Sequence, residues 1–263
     1  MKFFGSLLIT AVLLSGFFAG CTLNNVAKDS APESFFKQNN LQGTFALLDN
    51  VHEQFTVYNL KAYRDSAYAP GSSFQVLATL LGIETGRYLD EKSPVVYGGD
   101  SISLGDAFLQ HNDSALAAVT ARIGKDTLQY WLDSLHYGKA NLQSDTEAVW
   151  LGDSLKITPD EQLGFIAKLY FVQLPFQKRV QQIVRKLMTR EENTLYTLAY
   201  KSSWDRLPNG QYTGWITGWI EENKHVYFFV IHGQPISGRP ETGSLLKTAK
   251  AVLKHYGFFE GKK

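Results

Sequence analysis

Ser72 stands where a hydroxyl can become a nucleophile. Pro70 and Gly71 halt whatever precedes it, and Ser73-Phe74-Gln75 leads into an apolar run over 76–83. Apolar residues at 74, 77, 80 and 81 keep helical spacing, and those at 76 and 83 widen the stripe until little polar surface is left. That pattern predicts a helix buried inside a domain. Its first turn aims unpaired N–H groups and the positive end of the helix dipole at Ser72, a setting that favours an oxyanion. The same position also suits an ordinary serine N-cap. Metal and phosphate chemistry find less support. The six histidines (52, 111, 136, 225, 232 and 255) form no His-Glu-x-x-His, and Cys21 is the only cysteine, which argues against a zinc site. No glycine loop that would cradle a phosphate occurs, so neither a metal nor a cofactor is expected.

The elements that must position Ser72 can be read in order. Residues 34–39 suit a short helix. Residues 43–48 and 54–58 flank Asp49-Asn50 as a hairpin, and a loop carrying Tyr63, Arg64 and Tyr68 leads to Ser72. From 98 to 138 the chain reads as mostly helical. Thr158-Pro159-Asp160-Glu161 is a capping box with proline at the first helical position, and a further helix is expected over about 178–188. Strand-like stretches follow at 195–202, 212–220 and 225–231, then a closing helix over 243–256. Strands at both ends around a helical insert predict an α+β fold, one antiparallel sheet covered by helices with a helical lobe beside it.

The first twenty residues form a separate unit. Met1-Lys2 precedes an apolar stretch over 3–19, the pattern of a secretory signal and short for a membrane span. Phe18-Ala19-Gly20-Cys21 resembles the lipobox of bacterial lipoproteins, which implies cleavage before Cys21 and lipid on its sulfur. Residues 21–33 then read as a polar tether and 34–263 as the functional domain. The expectation is an exported lipoprotein held on a membrane through Cys21 and facing the periplasm. Loss of Lys2 leaves equal numbers of acidic and basic residues. A neutral chain gives no basis for nucleic-acid binding, which relies on neutralising phosphates. At 44% hydrophobic and 13% aromatic, the chain can build a substantial core.

Several motifs then fall into a family's order. Pro70-Gly71-Ser72-Ser73-Phe74-Gln75 resembles the Pro-x-Ser-Thr-Phe-Lys element of class D serine β-lactamases, members of the penicillin-recognising serine enzymes. Tyr137-Gly138-Lys139 is similar to their Tyr-Gly-Asn, and Val149-Trp150-Leu151 with Leu155-Lys156-Ile157-Thr158 to their Phe-Trp-Leu…Leu-Arg-Ile-Ser. Lys201-Ser202-Ser203 falls at their Lys-Thr-Gly, and Gly214-Trp215-Ile216-Thr217-Gly218-Trp219 resembles Gly-Trp-Trp-Val-Gly-Trp. The resemblance implies a five-stranded antiparallel sheet flanked by helices, a helical lobe, and an active site between them. It implies acyl transfer: a serine opens the β-lactam ring, two backbone N–H groups hold the oxyanion, and a carbamylated lysine three residues on activates water. β-Lactam or peptidoglycan peptide is the implied ligand.

This chain departs from that pattern at several points. Position 75 is Gln, which can hold Ser72 by a hydrogen bond but cannot take its proton. The family's Ser-x-Val aligns without a gap on His111-Asn112-Asp113, while a three-residue slip would bring Ser114 into the slot. His111 facing Ser72 could serve as a replacement base. Lys201 and Ser202 keep donors for a substrate carboxylate, and Ser203 adds a side chain where the family has glycine. The family's carboxylate-binding arginine aligns with Leu245, with Arg239 as a possible substitute. Trp204 and Trp150 complete the candidate substrate-binding set. The expectation is a penicillin-binding lipoprotein whose site is degenerate and hydrolyses β-lactams weakly or not at all. The alternatives are an active hydrolase using Ser72 with His111 or Lys201 as base, and a non-catalytic module that binds cell-wall peptide or protein.

Overall fold

The structure is a computed structural model that describes residues 25–143 and 148–263; the signal sequence and Cys21 lie outside the described residues. The chain begins with β1 (Val26–Lys28), α1 (Pro32–Gln38) and the hairpin of β2 (Leu41–Asp49) and β3 (Gln54–Tyr58). After α2 (Leu60–Arg64), a 3₁₀ turn over Gly71–Phe74 opens α3 (Gln75–Glu84). A small hairpin of β4 (Pro94–Tyr97) and β5 (Asp100–Ser103) precedes α4 (Leu104–Leu109), α5 (Asp113–Ile123) and α6 (Lys125–Leu135). The two-residue strands β6 (Lys139–Ala140) and β7 (Leu155–Lys156) pair, and α7 (Pro159–Tyr170) and α8 (Lys178–Met188) follow. The chain closes with β8 (Thr189–Glu192), β9 (Tyr196–Arg206), β10 (Tyr212–Glu222), β11 (His225–Pro235) and α9 (Ser244–His255).

The main sheet runs β1-β3-β2-β11-β10-β9-β8. Five antiparallel strands form its centre, as expected, but two short edge strands extend it, and β1 pairs with β3 in parallel. Alternation along the strands supplies both faces. Trp215 and Trp219 of β10 and Phe228 and Val230 of β11 join the core around α3, whereas Ile216, Ile220, Phe229 and Ile231 join a second core beneath α1 and α9.

Helix α3 is the hub. Every residue from Gln75 to Ile83 is buried, so each of its leucines contributes about 1.5–3 kcal/mol by leaving water. The capping box of α7 forms as its sequence predicts: the Thr158 hydroxyl accepts the Glu161 N–H, and the Glu161 carboxylate accepts the Thr158 N–H. Strand β9 is longer than its sequence signals suggest, running past Ser202 to Arg206. Lys201, Ser203 and Asp205 therefore share the sheet face that meets the Ser72 turn, all three buried.

Candidate active site

Ser72 is not an N-cap. It lies inside the 3₁₀ turn, which begins after Pro70 and has no side-chain cap. Two tryptophans hold this turn: the Gly71 N–H donates to the Trp150 carbonyl at 2.9 Å, and the Trp215 indole N–H donates to the Ala69 carbonyl at 2.8 Å. The Trp150 ring stacks on Phe74, with centroids 6.2 Å apart. Trp150 is thus part of the scaffold under the nucleophile turn, and it does not line the cleft.

Carboxyl groups surround the Ser72 hydroxyl. Its Oγ lies 2.5 Å from Asp113 Oδ1 and 2.5 Å from Asp205 Oδ1, and the Ser72 backbone N–H donates to Asp205 Oδ2 at 2.9 Å. Burial is the main force raising the Asp205 pKa; the hydrogen bonds from Ser72 oppose it, and the charge of Asp113 adds to it. Gly71 makes the approach possible. Its φ of +54° suits glycine, and a Cβ at this position would collide with Asp205 Oδ2.

Gln75 and Lys201 find each other instead of Ser72. The Lys201 Nζ donates to Gln75 Oε1 and, at 2.6 Å, to the Phe108 carbonyl, and it sits 4.4 Å from the centre of the Phe108 ring. Lys201 is completely buried. Burial first, and the Arg190 charge second, hold its pKa well below the usual lysine value, against the opposing pull of Asp113 and Asp205. Both of its hydrogen-bond acceptors, the Gln75 amide and the Phe108 carbonyl, are neutral.

A cavity of about 440 Å³ is lined by Ser72, His111, Asp113, Ser202, Ser203 and Trp204, together with Arg239 and Leu245. It unites seven residues singled out in the sequence, and leaves Lys201, Gln75 and Trp150 behind its wall. Trp204 lies across the strand pair from Gly214, where a Cβ would strike its ring. His111 lies at the rim, with a left-handed backbone and one side open to solvent. The protein packed around its ring, and then the charges of Lys201 and Arg190, lower its pKa from the usual histidine value. Among the described residues, no hydrogen bond joins His111 or Ser114 to Ser72; that contact is made by Asp113. Asn112 caps α5 by accepting the Ala115 N–H and ties its own side chain to Tyr97 at 2.7 Å, which fixes Asp113 at the first helical position.

Asp205 escaped the sequence reading altogether, and Asp113 was noticed only as a neighbour of His111. The available signal was strand parity: had the strand been extended four residues beyond Ser202, Asp205 would have fallen on the face of Lys201.

The comparisons agree on the family. The model of the penicillin-binding protein transpeptidase domain matches residues 30–254. A probable β-lactamase of Bacillus subtilis, YbxI, is 30% identical over 89% of this chain and 86% of its own length. The regulatory protein BlaR1 of Bacillus licheniformis is 27% identical over 86% of this chain, which spans only 39% of that protein. Among solved structures, a class D β-lactamase from Bacillus subtilis superposes with a TM-score of 0.77 at 30% identity, covering 86% of this chain and 95% of that one. The C-terminal domain of the Bacillus licheniformis BlaR penicillin receptor superposes with a TM-score of 0.80 at 24% identity, a likeness of fold, over 89% of this chain and 97% of that domain. The chain belongs to the penicillin-binding transpeptidase family, within its class D β-lactamase branch.

Proposed function

We propose that this protein is a penicillin-binding lipoprotein of the class D type, anchored through Cys21 and facing the periplasm, which recognises β-lactams and turns them over slowly or not at all. One observation carries the reading: among the described residues no lysine or histidine contacts Ser72, whose hydroxyl is held by the carboxyl groups of Asp113 and Asp205 instead. Gln75 stands three residues after the serine, and its amide is engaged with Lys201. General-base assistance is worth about 10²–10⁴ in rate for each step that uses it, and position 75 supplies none of it to acylation or deacylation. The relatives include a probable hydrolase and a regulatory protein whose structural counterpart is a penicillin receptor, and slow deacylation is the chemistry that suits a receptor. The cavity beside Ser72, with Ser202 and Arg239 as donors for a carboxylate, is where the ligand would sit. The second reading, non-covalent binding of a cell-wall peptide, draws on the low exposure of Ser72, at 2%.

Intact-protein mass spectrometry after incubation with benzylpenicillin tests the proposal. The expected result is a persistent adduct of penicillin mass, absent from Ser72→Ala. Rapid turnover without accumulated adduct would favour an active hydrolase. Total absence of adduct at millimolar drug would leave only non-covalent recognition. Palmitate labelling in a bacterial host, lost in Cys21→Ser, checks the anchor.

A further inference from the structure

We infer that Asp205 caps the nucleophile: its carboxyl group occupies the Ser72 N–H and the Ser72 hydroxyl together, and its release sets the rate at which Ser72 can be acylated. The inference rests on the acyl-transfer reading of this site and goes beyond it, because it assigns control of that step to a residue outside the recognised motifs.

The geometry makes the case. In acyl transfer at a serine, Oγ bonds to the carbonyl carbon, the carbon–nitrogen bond of the lactam breaks, and the hydroxyl proton passes to that nitrogen. Meanwhile the carbonyl oxygen, carrying transient negative charge, must settle on backbone N–H donors at the head of the helix. One carboxyl group here claims both requirements. Asp205 Oδ2 takes the Ser72 N–H at 2.9 Å, and Asp205 Oδ1 lies 2.5 Å from Oγ. Ionised, Asp205 puts negative charge where an oxyanion must form. Protonated, it donates to Oγ and engages a lone pair needed for attack. Until the carboxyl group is released, its ionised form denies the oxyanion its donor and its protonated form holds the lone pair, and Ser72 stays 2% exposed beside an otherwise adequate cavity.

Three features show that the cap is built into the fold. Gly71 carries a left-handed backbone and lacks the Cβ that would exclude Oδ2. Strand β9 continues through its pairing with β10, Thr213 opposite Asp205, so the carboxylate projects from a fixed strand. Asp113 grips the opposite side of the hydroxyl from α5, which is itself fixed by the Asn112 cap.

The test measures the second-order rate of labelling by a fluorescent penicillin in the wild type, Asp205→Ser, Asp205→Ala and, as the silent control, Ser72→Ala. Thermal melting establishes that each variant is folded at the assay temperature, and having two replacements guards against the failure of one. Freeing one oxyanion donor is expected to raise labelling by about 10², the scale of a single such contact. Equal or slower labelling in both folded variants would overturn the cap, and a loss in both would make Asp205 the base for Ser72 instead. The result also separates the two proposals. Labelling of the variants alone would uphold the cap and defeat penicillin capture by the native chain. Labelling of the wild type without acceleration would do the reverse, and no labelling anywhere would defeat both.

Discussion

Lys201 donates its Nζ hydrogen bond to the Gln75 side-chain oxygen, although the two residues lie 126 positions apart and are both buried. The position three residues after the serine therefore acts here as an acceptor for a lysine and supplies no base of its own. The orientation follows from strand parity, since Lys201 points from β9 toward the head of α3, where the Phe108 carbonyl provides its second acceptor. Burial then holds the amine below its usual pKa.

Gln75→Lys is expected to yield little hydrolysis by itself. A lysine at 75 would take away the Lys201 acceptor and crowd a second amine into a dry site, and Asp205 would still hold Ser72. Combined with Asp205→Ser, the substitution is expected to recover part of the factor of about 10²–10⁴ that a positioned base provides. Steady-state nitrocefin hydrolysis by the single and double variants measures this. Full turnover by Gln75→Lys alone would show that the remainder of the site needs no repair.

Gly71→Ala strikes at the same contact from the turn. The left-handed backbone costs a residue with a Cβ about 1–2 kcal/mol, and here the Cβ also meets the Asp205 carboxyl. Urea denaturation should show a loss of at least that size. A loss within error would mean that the turn and β9 separate easily.

The pH dependence of stability carries two opposing signatures. Asp205 has a folded pKa above its ordinary value of 3.8, so its contribution is fully present below that value and is lost as pH rises through the folded pKa. Replacing it with Asn should remove this decline. His232 behaves in the opposite sense. It is buried against Tyr68, ring centroids 3.5 Å apart, and burial pushes its pKa from 6.5 down to about 3. The unfolded chain binds a proton below about 6.5 that the folded chain refuses, so stability falls as pH drops from there toward 3. Denaturation midpoints of the wild type, Asp205→Asn and His232→Gln between pH 4 and 8 check both signs. A His232→Gln curve parallel to the wild type would rule out this histidine as a source of acid lability.

Local chemistry determined much of this protein. The apolar spacing after Ser72 requires a buried helix, Thr158 and Glu161 close their own capping box, and the hairpin around Asp49-Asn50 forms from adjacent residues. The motif order also marks the class D family. Each of these signals acts over one or two turns of chain or along one strand, so sequence alone can carry it. The state of the nucleophile is different. Asp113 lies 41 positions from Ser72 and Asp205 lies 133, and nothing local specifies that either carboxyl will reach the serine. Only the pairing of β9 with β10, the fixed start of α5 and the room left by Gly71 bring the three oxygens together. Burial then raises the Asp205 pKa, because desolvation exists only once the chain has folded around the group.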